Sequence, residues 1–173
     1  PLRGTIAANG GGVVMEAVIF VGVQGSGKTT LYLERFFATH VRLSLDLLRT
    51  RRREQLLLAA CIEAKQPFVI DNTNPAAEER ARYIAPAIAA GFRVVAYHLD
   101  LPIAVCIKRN AARQGKQRIP APAIYGTRKR LQPPTLAEGF HALYTVRLGE
   151  DGATVIEEQE SGRTGEQENL AAN

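Results

Sequence analysis

The residues Gly22-Val23-Gln24-Gly25-Ser26-Gly27-Lys28-Thr29 fit the pattern G-x-x-x-x-G-K-[ST]. Glycines at this spacing let neighbouring backbone amides turn toward one anion, and a helix starting there adds its positive end. Gly22, Gly25, Ser26, Gly27 and Thr30 would then wrap a chain of phosphates. Lys28 would reach the β- and γ-phosphates, and the Thr29 hydroxyl would ligate Mg²⁺. ATP with Mg²⁺ is the expected ligand. A glycine-rich turn alone would not explain Lys28 and Thr29 together.

A phosphoryl donor needs an acceptor, a base and charge-stabilising cations. Asp46 follows the short apolar stretch at residues 41–45, which places it at the end of a strand, where it could take a proton from an attacking hydroxyl. It could equally cap the helix that begins at Leu47, and the two roles are compatible. Arg49 comes one helical turn later and could grip an acceptor phosphate. Asp71 ends another apolar stretch and suits a partner of Thr29 and Mg²⁺. Asn72-Thr73-Asn74 follows as a polar loop, with Asn72 and Asn74 as acceptor-binding candidates. Arg109 and Arg113 stand four apart, which on one helix gives one face. With Lys108, Lys116 and Arg118 nearby, they read as a basic lid whose planar forks pair phosphate oxygens.

The elements that must position these residues alternate. Residues 17–21 read as a buried strand, 27–39 as a helix, 41–45 as a strand and 46–65 as a helix. A strand at 67–71 precedes a helix that opens at Pro75 and Ala76, is kinked at Pro86 and ends at Gly91. A strand at 92–99 follows, then helices at 102–113 and 120–131. Residues 142–148 and 153–157 read as a last strand or hairpin. Such alternation predicts an α/β fold with a parallel sheet covered on both faces.

Composition narrows the class. The chain has 173 residues, 46% hydrophobic and 23% charged, which argues against a disordered chain, a collagen or a coiled coil. Apolar runs such as 17–21 are far too short for a bilayer span. Cys61 and Cys106 make neither a disulfide framework nor a zinc set, so a reduced, cytoplasmic setting is expected. From Gly149 onward seven acids face one base, a net −6, which against +5 overall leaves +11 on residues 1–148. A core this basic suggests an anionic partner. Met15, the sole methionine, reads as the natural start, with residues 1–14 a cloning or upstream extension. The kinase domain is expected over 15–157, with a disordered polar tail over 158–173.

Several stretches resemble the polynucleotide 5′-hydroxyl kinase family, both the kinase domain of polynucleotide kinase/phosphatases and the phage-type enzymes. They are Val69-Ile70-Asp71-Asn72-Thr73-Asn74-Pro75, Arg80-Ala81-Arg82-Tyr83 and Lys108-Arg109-Asn110 with Arg113. Further along they are Ile119-Pro120, Tyr125-Gly126 with Arg128-Lys129, and Pro134-Thr135-Leu136-Ala137-Glu138-Gly139-Phe140. The resemblance implies an adenylate-kinase-like P-loop fold with a helical lid. It implies transfer of the γ-phosphate of ATP to a 5′-hydroxyl of DNA or RNA. Lys28 and Thr29 would serve the triphosphate and Mg²⁺, Asp46 the proton, Arg49 the acceptor phosphate, and Arg109 and Arg113 the lid. Ser44-Leu45-Asp46 departs from the family in lacking the basic residue that often precedes its aspartate. A chain of this length leaves no room for a phosphatase domain, so 3′-end processing is not expected of it. Two other readings fit the same motifs: a small-molecule kinase of this fold, and a nucleotide-binding module without chemistry.

Overall fold

Strand β1 (Glu16–Val21) alternates its side chains between two cores. Ala17 and Ile19 face one and Val18 and Phe20 the other, all at most 1% exposed. That double burial is why the run is continuously apolar. The computed structural model of the chain describes residues 15–115, 118–149 and 152–159. β2 (Val41–Leu43), β3 (Phe68–Ile70), β4 (Arg93–Leu99), β5 (Ala142–Leu148) and β6 (Thr154–Gln159) complete one sheet, in the order β2-β3-β1-β4-β5-β6. The first five strands pair in parallel and β6 returns antiparallel along β5.

The connecting helices are α1 (Lys28–Arg35), α2 (Leu45–Leu48), α3 (Arg51–Glu63), α4 (Ala77–Ala89), α5 (Ile103–Ala111) and α6 (Ala121–Arg130). Leu58, Cys61, Tyr83, Ile84 and Ala87 from α3 and α4 pack on one sheet face. Leu31, Tyr32, Cys106 and Ile124 from α1, α5 and α6 pack on the other, with Phe36 just past α1. Each large apolar side chain so buried contributes about 1.5–3 kcal/mol. The chain leaves β1 toward β2 on one side and, after β3, crosses to β4 on the other. The crevice between the carboxyl ends of β1 and β3 is therefore the place where such sheets bind ligands.

Several expectations are corrected. The helix expected at 46–65 is two helices. Arg49 caps α2 in a left-handed conformation (φ 70°), and Thr50 then caps α3 by accepting from the Arg53 amide. A run of leucines and arginines carries no sign of that break; the Thr50 side chain does. Helix α2 starts after Ser44, so Asp46 lies in its first turn and is not its N-cap. Helix α5 stops at Ala111, so Arg113 stands beyond it. Glu158 and Gln159, expected in the tail, belong to β6, where Glu158 pairs with Tyr144 and Gln159 with Leu143. Residues 1–14, Lys116 and the tail from 160 lie outside the described residues.

A buried arginine ties the C-terminal part to this frame. Arg80, 0% exposed, donates through Nε and Nη2 to the two Glu138 oxygens at 2.6 and 2.7 Å. Its Nη1 donates to the carbonyls of Asn74, Pro75 and Gln132. Glu138 also closes a capping box with Thr135 around a single 3-10 turn, Leu136–Glu138. The Pro134–Phe140 stretch thus has a packing role, since it locks the loop after β3 in place.

Candidate functional site

The loop between β1 and α1 is shaped for an anion. Gly25 (φ 80°) and Gly27 (φ 99°) hold left-handed backbone, and a Cβ at Gly25 would fall on the Cys106 carbonyl. The N-terminus of α1 has no side-chain cap and no acid in its first turn, which leaves its positive end open. Ser26 Oγ and Gln24 Oε1 are buried and unpartnered among the described residues. An unpaired buried hydroxyl is costly unless a ligand completes it. Lys28 Nζ donates to the Gly22 carbonyl at 3.0 Å and the Val23 carbonyl at 2.8 Å. Burial pulls its ammonium from 10.5 down to about 8, against the pull of Asp71 and with the push of Arg113.

Beside the loop lies a corner of hard oxygens. Thr29 Oγ1 donates to Asp71 Oδ2 at 3.1 Å, joining the start of α1 to the end of β3. A hydroxyl and a carboxylate suit Mg²⁺, which takes few protein oxygens and completes its shell with phosphates and water. Arg42, on β2, was not singled out by the sequence. Its Nε donates to Asp71 Oδ2 at 2.8 Å, Nη2 lies 2.6 Å from the same oxygen as an ion pair, and Nη2 donates to Thr29 Oγ1 at 3.1 Å.

Asp46 is exposed in the first turn of α2, and its charge reaches Lys28. Arg49 is exposed three residues on, where the chain leaves that helix. Asn72 and Asn74 are both bonded within the fold. Asn74 is 1% exposed and donates to the Phe20 carbonyl at 2.8 Å, so it ties its loop to β1 and does not face an acceptor. Asn72 accepts from the Leu45 amide at 2.9 Å and donates to Glu54 Oε1 at 2.6 Å. It thereby fixes the helix that carries Asp46. Glu54, 1% exposed, is a second residue the sequence did not reveal; its other oxygen accepts from Arg51 at 2.8 Å. A glutamate four residues after a helix break gives no hint of burial.

Arg109 and Arg113 converge even though one helix does not hold both. They line a cavity of about 600 Å³ with Gly25, Ser26, Gly27 and Thr30, which reaches Val146 and Thr154 of the β5–β6 hairpin. Arg109 Nη1 lies 3.4 Å from the position a Cβ would take on Gly27. Asn110 closes the segment that carries Arg113 by donating to the Ile119 carbonyl at 2.7 Å and accepting from its amide at 3.0 Å. The arrangement therefore gathers an anion cradle, a hard-cation corner, an exposed carboxylate and two facing guanidiniums at one sheet edge.

A parallel sheet with that cradle at its switch point defines a P-loop kinase-like domain. The chain belongs to the AAA domain family, whose sequence model matches residues 18–134. Among curated proteins it is 31% identical over 132 residues to the bifunctional polynucleotide phosphatase/kinase of Schizosaccharomyces pombe. The match covers 72% of this chain but only 32% of that protein, so the chain spans about a third of its length. Among solved structures, Kti12 of Chaetomium thermophilum in complex with ADP-AlF3 superposes with a TM-score of 0.59 at 16% identity, over 79% of this chain and 92% of that one. A gluconokinase from Sinorhizobium meliloti 1021 gives 0.54 at 18% identity, over 78% and 83%. Kinship at these identities shows the shared fold. No helix among the described residues is long and apolar enough to cross a membrane.

Proposed function

We propose that the protein is an ATP-dependent polynucleotide kinase that transfers the γ-phosphate to a 5′-hydroxyl end of DNA or RNA. The observation that carries this reading is the open, cationic acceptor side. Asp46 is exposed, and Arg49, Arg52 and Arg53 are exposed just after it, within 148 residues that carry a net +11. Such a surface suits a polyanionic chain end. The partial kinship with a polynucleotide phosphatase/kinase supports the same acceptor. The gluconokinase likeness keeps a metabolite hydroxyl as the second reading.

In this reading Lys28 gives up the Gly22 and Val23 carbonyls for phosphate oxygens, and Ser26 Oγ gains its missing partner. Thr29 and Asp71 would hold Mg²⁺, which when bound neutralises charge on the phosphates. Asp46 accepts the proton of the 5′-hydroxyl as its oxygen bonds to the γ-phosphorus; the bond from that phosphorus to ADP breaks, and ADP leaves with the electron pair. Arg109 and Arg113 balance the charge that spreads over the transferring group. Catalysis is then mostly positioning and electrostatics. Asp46→Ala should lower transfer to a 5′-hydroxyl oligonucleotide by about 10²–10⁴-fold while leaving ATP affinity unchanged. Turnover that survives the substitution would remove Asp46 as the base.

A further inference from the structure

The Thr29–Asp71 corner already holds a cation. Asp71 Oδ2 receives two donors, Thr29 Oγ1 and Nε of Arg42, and Nη2 of Arg42 lies against it as an ion pair at 2.6 Å. Thr29 Oγ1 gives its proton to Asp71 and spends a lone pair on Arg42 Nη2. A divalent cation needs that lone pair and that carboxylate, and it cannot share so small a space with a guanidinium. Yet the Asp71 side chain is 3% exposed, and a buried carboxylate without a partner is strongly destabilising. Arg42 is also not enclosed by the corner, and it already leans on an aromatic face that can keep it when it leaves Asp71. Its side chain is 27% exposed, and its guanidinium carbon lies 5.6 Å from the centre of the Tyr32 ring, a face that attracts cations.

We propose that Arg42 is a resident counter-cation of this corner: it neutralises Asp71 and holds Thr29 while nucleotide is absent, and it yields both oxygens to the divalent cation that arrives with the nucleotide. The proposal rests on the nucleotide-site reading and not on the acceptor's identity. It makes Arg42 a positioning residue that couples the two ligands. Mg²⁺ alone does not displace it, because only the nucleotide adds the phosphate oxygens that complete the new shell.

The test is binding of a fluorescent ATP analogue at increasing Mg²⁺, with thermal unfolding in Mg²⁺ alone alongside. In Arg42→Gln the half-saturating Mg²⁺ for nucleotide binding should fall about tenfold, equivalent to about 1.4 kcal/mol. Mg²⁺ alone should raise the variant's melting temperature and leave that of the wild type unmoved. An unchanged half-saturating concentration, or equal responses to Mg²⁺ alone, overturns the proposal. Should Arg42→Gln not fold, Arg42→Lys is read instead. A point-like ammonium cannot serve both oxygens as the planar fork does, so the same shift appears, smaller, and its absence overturns the proposal. Wild-type protein that binds no nucleotide at any Mg²⁺ overturns the nucleotide-site reading as well. Binding whose Mg²⁺ dependence ignores residue 42 overturns this proposal alone.

Discussion

Lys28 sits where two demands conflict. Its ammonium must be close enough to the loop to meet phosphate, and there it loses water. Two carbonyls compensate it only in part, so burial lowers its affinity for the proton to about 8. Below that pH the folded protein carries a poorly solvated charge. Between about 8 and 10.5 the unfolded chain binds a proton that the folded chain does not, so stability rises with pH through that window. A displacement of that size corresponds to about 3 kcal/mol at most. Lys28→Met should therefore melt at a higher temperature than the wild type at pH 7, with nucleotide binding lost. The advantage should shrink as pH climbs toward 10.5. Matched melting curves at both ends of the window check this, and an advantage that widens with pH contradicts it. At this scale the sequence was most informative where spacing carries the chemistry. Gly22 to Thr29 was legible because glycine, lysine and threonine at those offsets have few other uses. Arg42 and Glu54 were not legible, because an arginine on a three-residue strand and a glutamate in a basic helix have many. Only the fold brings Arg42 to Asp71 and Glu54 to Asn72.

The element scale explains why a stretch far from the nucleotide bears on the site. Glu138, in the turn after α6, meets Arg80 in α4, and Arg80 in turn holds the Asn74 and Pro75 carbonyls. Those residues end the loop that starts at Asp71. Removing Glu138 would leave a fully buried guanidinium short of its carboxylate. Glu138→Ala should cost about 3 kcal/mol in urea unfolding; a loss within about 0.5 kcal/mol, the usual range for surface changes, would contradict that role. The alternation of strands and helices was readable from apolar runs and their punctuation by glycine and proline. The boundaries were less so. The break at Arg49 and Thr50 hides in a helix-favouring stretch, and the last turn of α5 holds Asn110, whose side chain bonds Ile119, a contact no local pattern announces. Strand β6 runs into residues whose polarity suits a tail, because an edge strand half open to water does not need apolar residues on both faces.

At the scale of the whole molecule, crossing from β3 over β1 to β4 opens one crevice. Into it the fold delivers residues from β1's loop, β3's end, α2 and the segment after α5. Lys28, Thr29, Asp46, Asp71, Arg109 and Arg113 are placed along that edge, whereas Asn74 turns inward. The charge of the chain is divided in the same sense, with a basic body and an acidic end. The body's exposed arginines beside Asp46 are what favour a nucleic-acid end over an uncharged metabolite. The most direct measurement is transfer of label from γ-³²P-ATP to paired oligonucleotides that differ only in a 5′-hydroxyl or a 5′-phosphate. A polynucleotide kinase with this site should label the 5′-hydroxyl strand alone, and the label should be lost in Asp46→Ala and weakened as salt rises. ATP binding without label on any 5′-hydroxyl end, together with turnover of a sugar or other small hydroxyl compound, would contradict that function.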